Sequence, residues 1–418
     1  MKHLRKFSSV TAMNTALASA TINILGLAYN NGTPVMKIKS GGSPVPPAPD
    51  PTEPFYIDVR GAVTLAATSG LQMSTDGKNW TDTVAGDLPI GKTYFRVASD
   101  GTYPLKPNWT EDSNSDYDIG GNINSLVKTV FEDHTTCYSF TSYFANKAKL
   151  KNAGNLILPA TTLVGYCYQY MFQGCTSLTT APELPATTLA TQCYQYMFQG
   201  CTSLTTAPEL PATTLATYCY AYMFQNCTSL TTAPELPATT LTSNCYIYMF
   251  KSCTALTTAP ALPATTLANS CYAYMFQSCT ALTTAPELPA TLTSTNYDCY
   301  KSMFQSCTAL TTAPTLPSTT LAQGCYYQMF NRCTGLTTAP ELPATTLTAT
   351  CYYEMFKGCT NLNYIKCLAT NKSATNCTKD WVNGVSSTGT FIKNQNMSSW
   401  TTDVNGIPSG WTVQDASE

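Results

Sequence analysis

Cys193 to Tyr218 reads CYQYMFQGCTSLTTAPELPATTLATY, and its opening cysteine returns at Cys167, Cys219, Cys245, Cys271, Cys299, Cys325 and Cys351. The step is 26 residues, except for one of 28 between Cys271 and Cys299. A fixed period of this size marks a solenoid, in which each unit contacts only its neighbours.

The first half of the unit predicts a short helix. At 100° per residue, Cys193, Tyr194, Met197, Phe198 and Cys201 fall within roughly 140° of one another, and Gln195, Tyr196 and Gln199 take the opposite side. Across the copies the inward positions hardly change, while the position of Gln195 becomes Ala221, Ile247, Lys301 or Tyr353. Leu204-Thr205-Thr206-Ala207 then predicts a short strand, stopped by Pro208 and Pro211, which lack an amide hydrogen. Leu210 and Leu215 return the chain inward. One unit alone, with about six apolar side chains, cannot offset the ordering of its backbone, so stacking is obligatory. Helices pack wider than strands, so the stack should curve with its strands on the concave side.

The pattern CYxxMFxxCTxLTTAPxLPATTL resembles the leucine-rich repeats of BspA-type surface proteins of gut Bacteroidetes. The resemblance extends to Gly121-Asn122-Ile123, to LILPATTL at Leu156–Leu163, and to the closing STGTFIKN and SSWTTDVNGIPSGWTV, covering roughly Phe55 to Val413. It implies an adhesive, non-enzymatic surface module, and related arrays also resemble parts of bacteriophage fibres. The expected fold is α/β: a curved leucine-rich-repeat solenoid with one short helix and one short parallel strand per repeat. A small all-β sandwich and an N-terminal anchor precede it.

Composition narrows the function. Net charge is −2 with 11% charged residues, and no basic block suggests a nucleic acid partner. No apolar run is long enough to span a membrane. The 19 cysteines do not read as a disulfide framework. On a helix Cys193 and Cys201 would lie about 12 Å apart, beyond the roughly 7 Å a disulfide tolerates. They are expected as reduced, buried core residues. C-x7-C is not zinc spacing, and only His3 and His134 are present. No metal or cofactor is expected.

In chain order, MKHLRKFSSVTAMNTALASA superficially offers a basic start and a small-residue end at Ala20. Ser8, Ser9, Thr11, Asn14 and Thr15 interrupt its apolar core, so it makes a poor signal peptide. Val35-Met36-Lys37-Ile38 follows Ile24–Tyr29 across Asn31-Gly32, a hairpin signal. Residues 1–40, a small helix plus hairpin, resemble the attachment peptides of Bacteroides-phage (crAss-like) fibre proteins, with Leu25, Leu27, Tyr29, Val35, Met36 and Ile38 as the candidate attachment residues. Residues 41–54, GGSPVPPAPDPTEP, predict an extended proline-rich linker. Residues 55–108 alternate as strands over Tyr56–Val59, Ala62–Leu65, Leu71–Ser74 and Thr93–Val97, with turns at Asp76-Gly77 and Ile90-Gly91. They predict a small antiparallel sandwich with Trp80 in its core. Residues 109–166 contain a degenerate repeat in which Lys147 replaces the second cysteine, as suits a cap facing solvent. The repeats occupy 167–366, after which the period is expected to stop. Residues 367–418 form the other cap, with Trp381, Trp400 and Trp411 over the last rung.

Two columns are candidate sites. Tyr170, Tyr196, Tyr222, Tyr248 and Tyr274 recur at one outward position, ending at Ser302, Gln328 and Glu354. Tyrosine joins contact area to a polar tip and so suits recognition, although packing on neighbouring repeats explains it as well. Glu183, Glu209, Glu235, Glu287 and Glu341, interrupted by Ala261 and Thr315, read as a solvated edge rather than a calcium site. No phosphate loop, nucleophile elbow or zinc helix offers catalysis.

The expectation is therefore a non-enzymatic virion fibre, head in preference to tail. Residues 1–40 would attach it to a capsid or tail protein, and the repeats would meet a host-surface glycan or protein. Fibres favour symmetric oligomers, so a homotrimer is in view, though no heptad marks one. An exported BspA-like bacterial adhesin and a ligand-free structural decoration stay open.

Overall fold

The computed structural model describes residues 49–131, 137–288 and 292–416, and the backbone strands within 3–6, 24–30 and 33–38. The chain divides into two compact units, Met1–Pro49 and Asp50–Glu418.

The first unit holds β1 (His3–Lys6), β2 (Ile24–Asn30) and β3 (Thr33–Ile38) in an antiparallel sheet of order β1-β3-β2. The expected hairpin is β2–β3, in which Asn30 pairs with Thr33; Asn31-Gly32 lies outside the described residues. Where a helix was expected, His3–Lys6 instead pairs along β3 from Ile38 to Val35. The rest of that expected helix falls on residues 7–23, also outside the described residues.

The second unit begins with β4 (Tyr56–Val59), β5 (Val63–Ala66), β6 (Leu71–Ser74), β7 (Thr81–Asp82), β8 (Gly86–Asp87) and β9 (Gly91–Val97). Then follow β10 (Asn108–Glu111), β11 (Tyr117–Asn122) and β12 (Leu150–Ile157). One sheet has the order β12-β11-β4-β9-β6-β7 and a second β10-β5-β8. Alternation drives the strands: Val63 and Leu65 are buried while Thr64 and Ala66 are exposed, and Thr93, Phe95 and Val97 are buried on β9. The boundary drawn at residue 108 passes through β10, which pairs with β5. Beyond it β11 pairs in parallel with β12, so the sheet runs directly into the repeats.

Among the described residues the repeats contain no α-helix, so the expected unit of one short helix and one short strand does not form. Among the described residues the helical element is one 3-10 turn, Ile123–Leu126. The segment Gln192–Cys201 is instead a chain of turns. Amides of Cys193, Gln195, Met197, Gln199 and Cys201 donate to the carbonyl three residues back. Those of Gln192, Tyr194, Tyr196, Phe198 and Gly200 donate to Thr217, Cys219, Ala221, Met223 and Gln225 in the next repeat. Every second amide thus leaves the repeat, whereas a helix keeps its amide bonds within the segment. Each fourth residue is left-handed, with φ of 58° at Gln192, 60° at Tyr196 and 73° at Gly200, as the third position of a type II turn requires. The inward set of five satisfies a four-residue period as well as a 3.6-residue one. All five side chains are at most 1% exposed, so the inward face is as read. The expected strand contracts to single parallel bridges, Thr206 with Thr232, Thr232 with Thr258 and Thr258 with Thr284. A second column links Thr162, Thr188, Thr214, Thr240 and Thr266. Without helices wider than strands, nothing in the unit imposes the expected curvature.

The coils stack their side chains in register. Phe172 through Phe356 form a column with ring centroids 5.5–5.8 Å apart. Tyr168 through Tyr352 form another at 5.8–6.1 Å. The N-terminal end does not face solvent. Phe144 of the first coil stacks on Phe55 at 5.8 Å and lies 6.2 Å from Trp109. Lys147, expected to meet water, sits 4.4 Å from the Trp109 ring and donates to the Trp109 carbonyl. Trp109, 1% exposed, is the core tryptophan of the β module. Trp80 is only half-buried, beneath the Arg96 guanidinium at 4.2 Å.

At the other end the period does not stop at residue 366. Amides of Tyr352, Glu354, Phe356 and Gly358 donate to Cys377, Lys379, Trp381 and Asn383, and Asn376, Asp380 and Gly384 keep the left-handed φ. β13 (Tyr364–Cys367), ahead of this coil in the chain, forms a parallel sheet with β14 (Thr390–Lys393) and β15 (Thr412–Asp415), which follow it. Trp381 is fully buried, 6.1 Å from Tyr352 and 5.6 Å from Trp400, and ends the aromatic columns.

All 19 cysteines are free, and all but Cys137 are buried. The helical distance that argued against disulfides no longer applies. The second cysteine of each coil instead donates its thiol to a main-chain carbonyl of the coil before, as Cys227 does to Phe198 at 3.1 Å.

Candidate functional site

Tyr170, Tyr196, Tyr222, Tyr248 and Tyr274 occupy the middle left-handed corner of five successive coils, with φ of 57–60°. That conformation costs a non-glycine residue roughly 1–2 kcal/mol. Stacking, worth about 0.5–1.5 kcal/mol per aromatic pair, offsets it. The rings lie 4.8, 4.4, 4.7 and 4.3 Å apart with interplanar angles of 9–16°, tighter than the columns in the core. The turn therefore brings all five candidates together in one half-buried surface stack.

This geometry limits their chemistry. Both faces of Tyr196, Tyr222 and Tyr248 are covered by neighbouring rings, so the middle of the column presents edges and hydroxyls. Burial first, then the adjacent phenols, pushes Tyr196 and Tyr248 above the usual phenol range. They stay neutral donors across the physiological range.

Amide ladders flank the column. Gln173 Nε2 donates to Gln199 Oε1 and Gln199 Nε2 to Gln225 Oε1, both at 2.6 Å. On the other side Gln169 Nε2 donates to Gln195 Oε1 at 2.6 Å. Gln195, expected to face outward, is only 6% exposed because this ladder and Gln192 close over it. Lys251 Nζ lies 5.1 Å from the Tyr248 ring.

Beyond Tyr274 the aromatic surface shifts by one position rather than ending. Ser302 is fully buried, and Gln328 Nε2 donates to Glu354 Oε2 at 2.6 Å. Beside them Tyr327 and Tyr353 stack at 4.6 Å, with Lys301 Nζ 4.8 Å from Tyr327 and Lys379 Nζ 5.7 Å from Tyr353. In the sequence this pair is masked because Lys301 and Tyr353 resemble drift at an unconstrained position. Successive tyrosines one period apart, 327 and 353, were the available signal.

The glutamate column is exposed at Glu183, Glu209, Glu235, Glu287 and Glu341. Glu287 accepts from Thr315 Oγ1 at 3.0 Å and Glu341 pairs with Lys366 at 3.1 Å. Among the described residues no three His, Cys, Asp or Glu side chains are grouped to hold a metal ion. A shallow groove lies between coils along the threonine edge, lined by Thr179, Thr180, Ala181, Thr205, Thr206 and Pro208. Of the attachment candidates, Leu25, Leu27 and Tyr29 fall on β2 and Val35, Met36 and Ile38 on β3, with Leu27 opposite Met36.

A family model described as the BspA type leucine rich repeat region matches the chain in 6 copies, over residues 140–283 and 269–378. No curated protein and no solved structure matches it.

Proposed function

Because the chain belongs to the BspA-type leucine-rich repeat family, we propose that it is a non-catalytic adhesion and display protein, carried as a fibre on a virion. The coil stack is the presenting part. Its outer tyrosine column, Tyr170 to Tyr274, meets a glycan or protein of the host surface through hydroxyls and ring edges. Residues 1–40 attach the chain to a capsid or tail protein.

The pairing of β1 with β3 is the observation that carries the anchor reading. Residues 3–6 contribute a strand to a unit that is compact apart from the coil stack, and cleavage after Ala20 would remove that strand. Deleting residues 1–40 should abolish incorporation into particles while whole-cell binding by residues 50–418 persists. Retained incorporation would remove the anchor role. The family match equally suits a second reading, an exported bacterial surface adhesin. The N-terminal peptide of protein from its natural source separates the two: a chain starting after Ala20 favours export, and one retaining β1 favours the virion.

A further inference from the structure

Each turn chain has three left-handed corners, which around Cys167 are Tyr166, Tyr170 and Gly174. The middle corner carries the closed tyrosine stack. The first corner carries Tyr166, Gln192, Tyr218, Asn244 and Ser270 in five successive coils, with φ of 52–63°. Tyr166 and Tyr218 therefore stand on alternate coils with a glutamine between them, about 10 Å apart along the stack at the spacing of parallel strands. Tyr166 is 50% exposed and Tyr218 half-buried, and among the described residues neither ring stacks on another. On the far side of the tyrosine column, Gln199 donates one amide hydrogen to Gln225 and accepts one from Gln173. That leaves it a second amide hydrogen and a lone pair, as each phenol also has a donor and an acceptor to offer. From Asn152 to Tyr297 the sequence holds one cation, Lys251, and its acids are Glu183, Glu209, Glu235 and Glu287, all outside the turn chains.

We infer that Tyr166 and Tyr218 are stacking subsites for an uncharged saccharide chain lying along the coil stack. The inference rests on the reading of the tyrosine column as the ligand face, and it supplies the open ring faces that the column lacks. The C–H face of a sugar ring packs on an aromatic face as other apolar surface does. Sugar hydroxyls both donate and accept, which matches the phenols and the amide ladder beside them. A carboxylate or sulfate only accepts, and its lost hydration would be met by a single lysine over five coils. A chain long enough to reach both rings gains from their linkage, so affinity rises with length until the two subsites are covered and then levels off.

The test presents the full chain with arrayed glucans, mannans and galactans of graded length, and with polygalacturonate and heparin as acidic counterparts. Tyr166→Gln and Tyr218→Asn place at the corner residues that the protein itself uses there, Gln192 and Asn244, and melting temperatures check that both variants fold. The unsubstituted chain should bind at least one neutral series, more tightly as length grows, with less than about a twofold change as salt rises from about 0.05 to 0.5 M. Each variant should lose about tenfold in affinity. Binding confined to the acidic glycans, no binding to any neutral series, or affinity independent of length would overturn the inference. Unchanged binding by both variants, with a loss when Tyr196, Tyr222 and Tyr248 are replaced together by Phe, would overturn the two subsites and leave the column as the ligand face. Unchanged binding by all these variants would overturn both.

Discussion

Cys201 Sγ donates to the main-chain carbonyl of Phe172, one coil back, at 3.2 Å. The contact repeats from Cys175 to Phe144 through Cys359 to Phe330, at 3.0–3.2 Å throughout. Each such carbonyl also accepts the amide three residues on in its own coil, as Phe172 does from Cys175 at 3.1 Å and Phe144 from Lys147 at 3.2 Å. The thiol is therefore an additional, inter-coil link. Cys253→Ala in mid-stack should destabilise the protein by about 1–2 kcal/mol, the loss of a packed sulfur and one weak hydrogen bond. Cys253→Ser, with a donor of shorter reach, should recover part of it. Urea unfolding checks the order; equal losses for the two would reduce the thiol to packing alone.

In the eight repeats opened by Cys167 through Cys351 the last left-handed corner holds Gly174, Gly200, Asn226, Ser252, Ser278, Ser306, Arg332 and Gly358, all with φ between 61° and 75°. At Gly200 an added Cβ would meet nothing nearer than 3.8 Å, so the site isolates backbone strain from crowding. Gly200→Ala should cost about 1 kcal/mol, and the reverse change Ser252→Gly should stabilise by a similar or smaller amount. Matched thermal melts of the two variants decide it. Shifts of the same sign would contradict the turn geometry.

That corner explains how much of the fold was legible. Cys193, Tyr194, Met197, Phe198 and Cys201 reveal themselves as inward because a period of four and a period of 3.6 agree over nine residues. The difference lies in what a helix forbids. Glycine, asparagine and serine at every copy from 174 to 306 point to left-handed residues, and Arg332 at the same column obscures the signal. Bonds such as Tyr196 N–H to Ala221 C=O join separate repeats, so no reading of one unit could supply them. The tyrosine column was visible as a periodicity. Its ring-to-ring closure was not, because spacing along an assumed helix says nothing of a 4.4 Å approach between coils. Lys147 was legible as an exception but not as a partner of Trp109, whose position depends on the β module.

Since ring faces in the middle of the outer column are covered, adhesion through it should run on hydroxyls. Replacing Tyr196, Tyr222 and Tyr248 together by Phe keeps the stack and removes three donors. Stability should change by less than about 1 kcal/mol per site, because the hydroxyls are half-exposed and water can replace their partners. Whole-cell binding should fall at least tenfold. Tyr222→Ala should instead open a slot between Tyr196 and Tyr248 and lower the melting temperature. Unchanged binding by the triple Phe variant would move the ligand face elsewhere, with Tyr327 and Tyr353 the next surface to test.

Alkaline pH should unfold the coil stack while leaving it untouched near neutrality. Burial pushes the thiols of Cys227, Cys271, Cys307 and Cys359 up to about 12, from 9.0 in an exposed thiol. The folded value is the higher one, so the unfolded chain loses protons first as pH rises. Below about pH 9 both states are protonated and the full stability is present. Between about 9 and 12 each such thiol removes roughly 1.4 kcal/mol per pH unit. The buried tyrosines Tyr194 and Tyr246, also raised by burial, act in the same direction above their ordinary range. Urea midpoints should therefore be flat from pH 6 to about 8.5 and then fall steeply, with the slope reduced in a chain carrying several Cys→Ala changes. A midpoint still flat at about pH 11 would mean that the thiols are not held neutral in the folded coils.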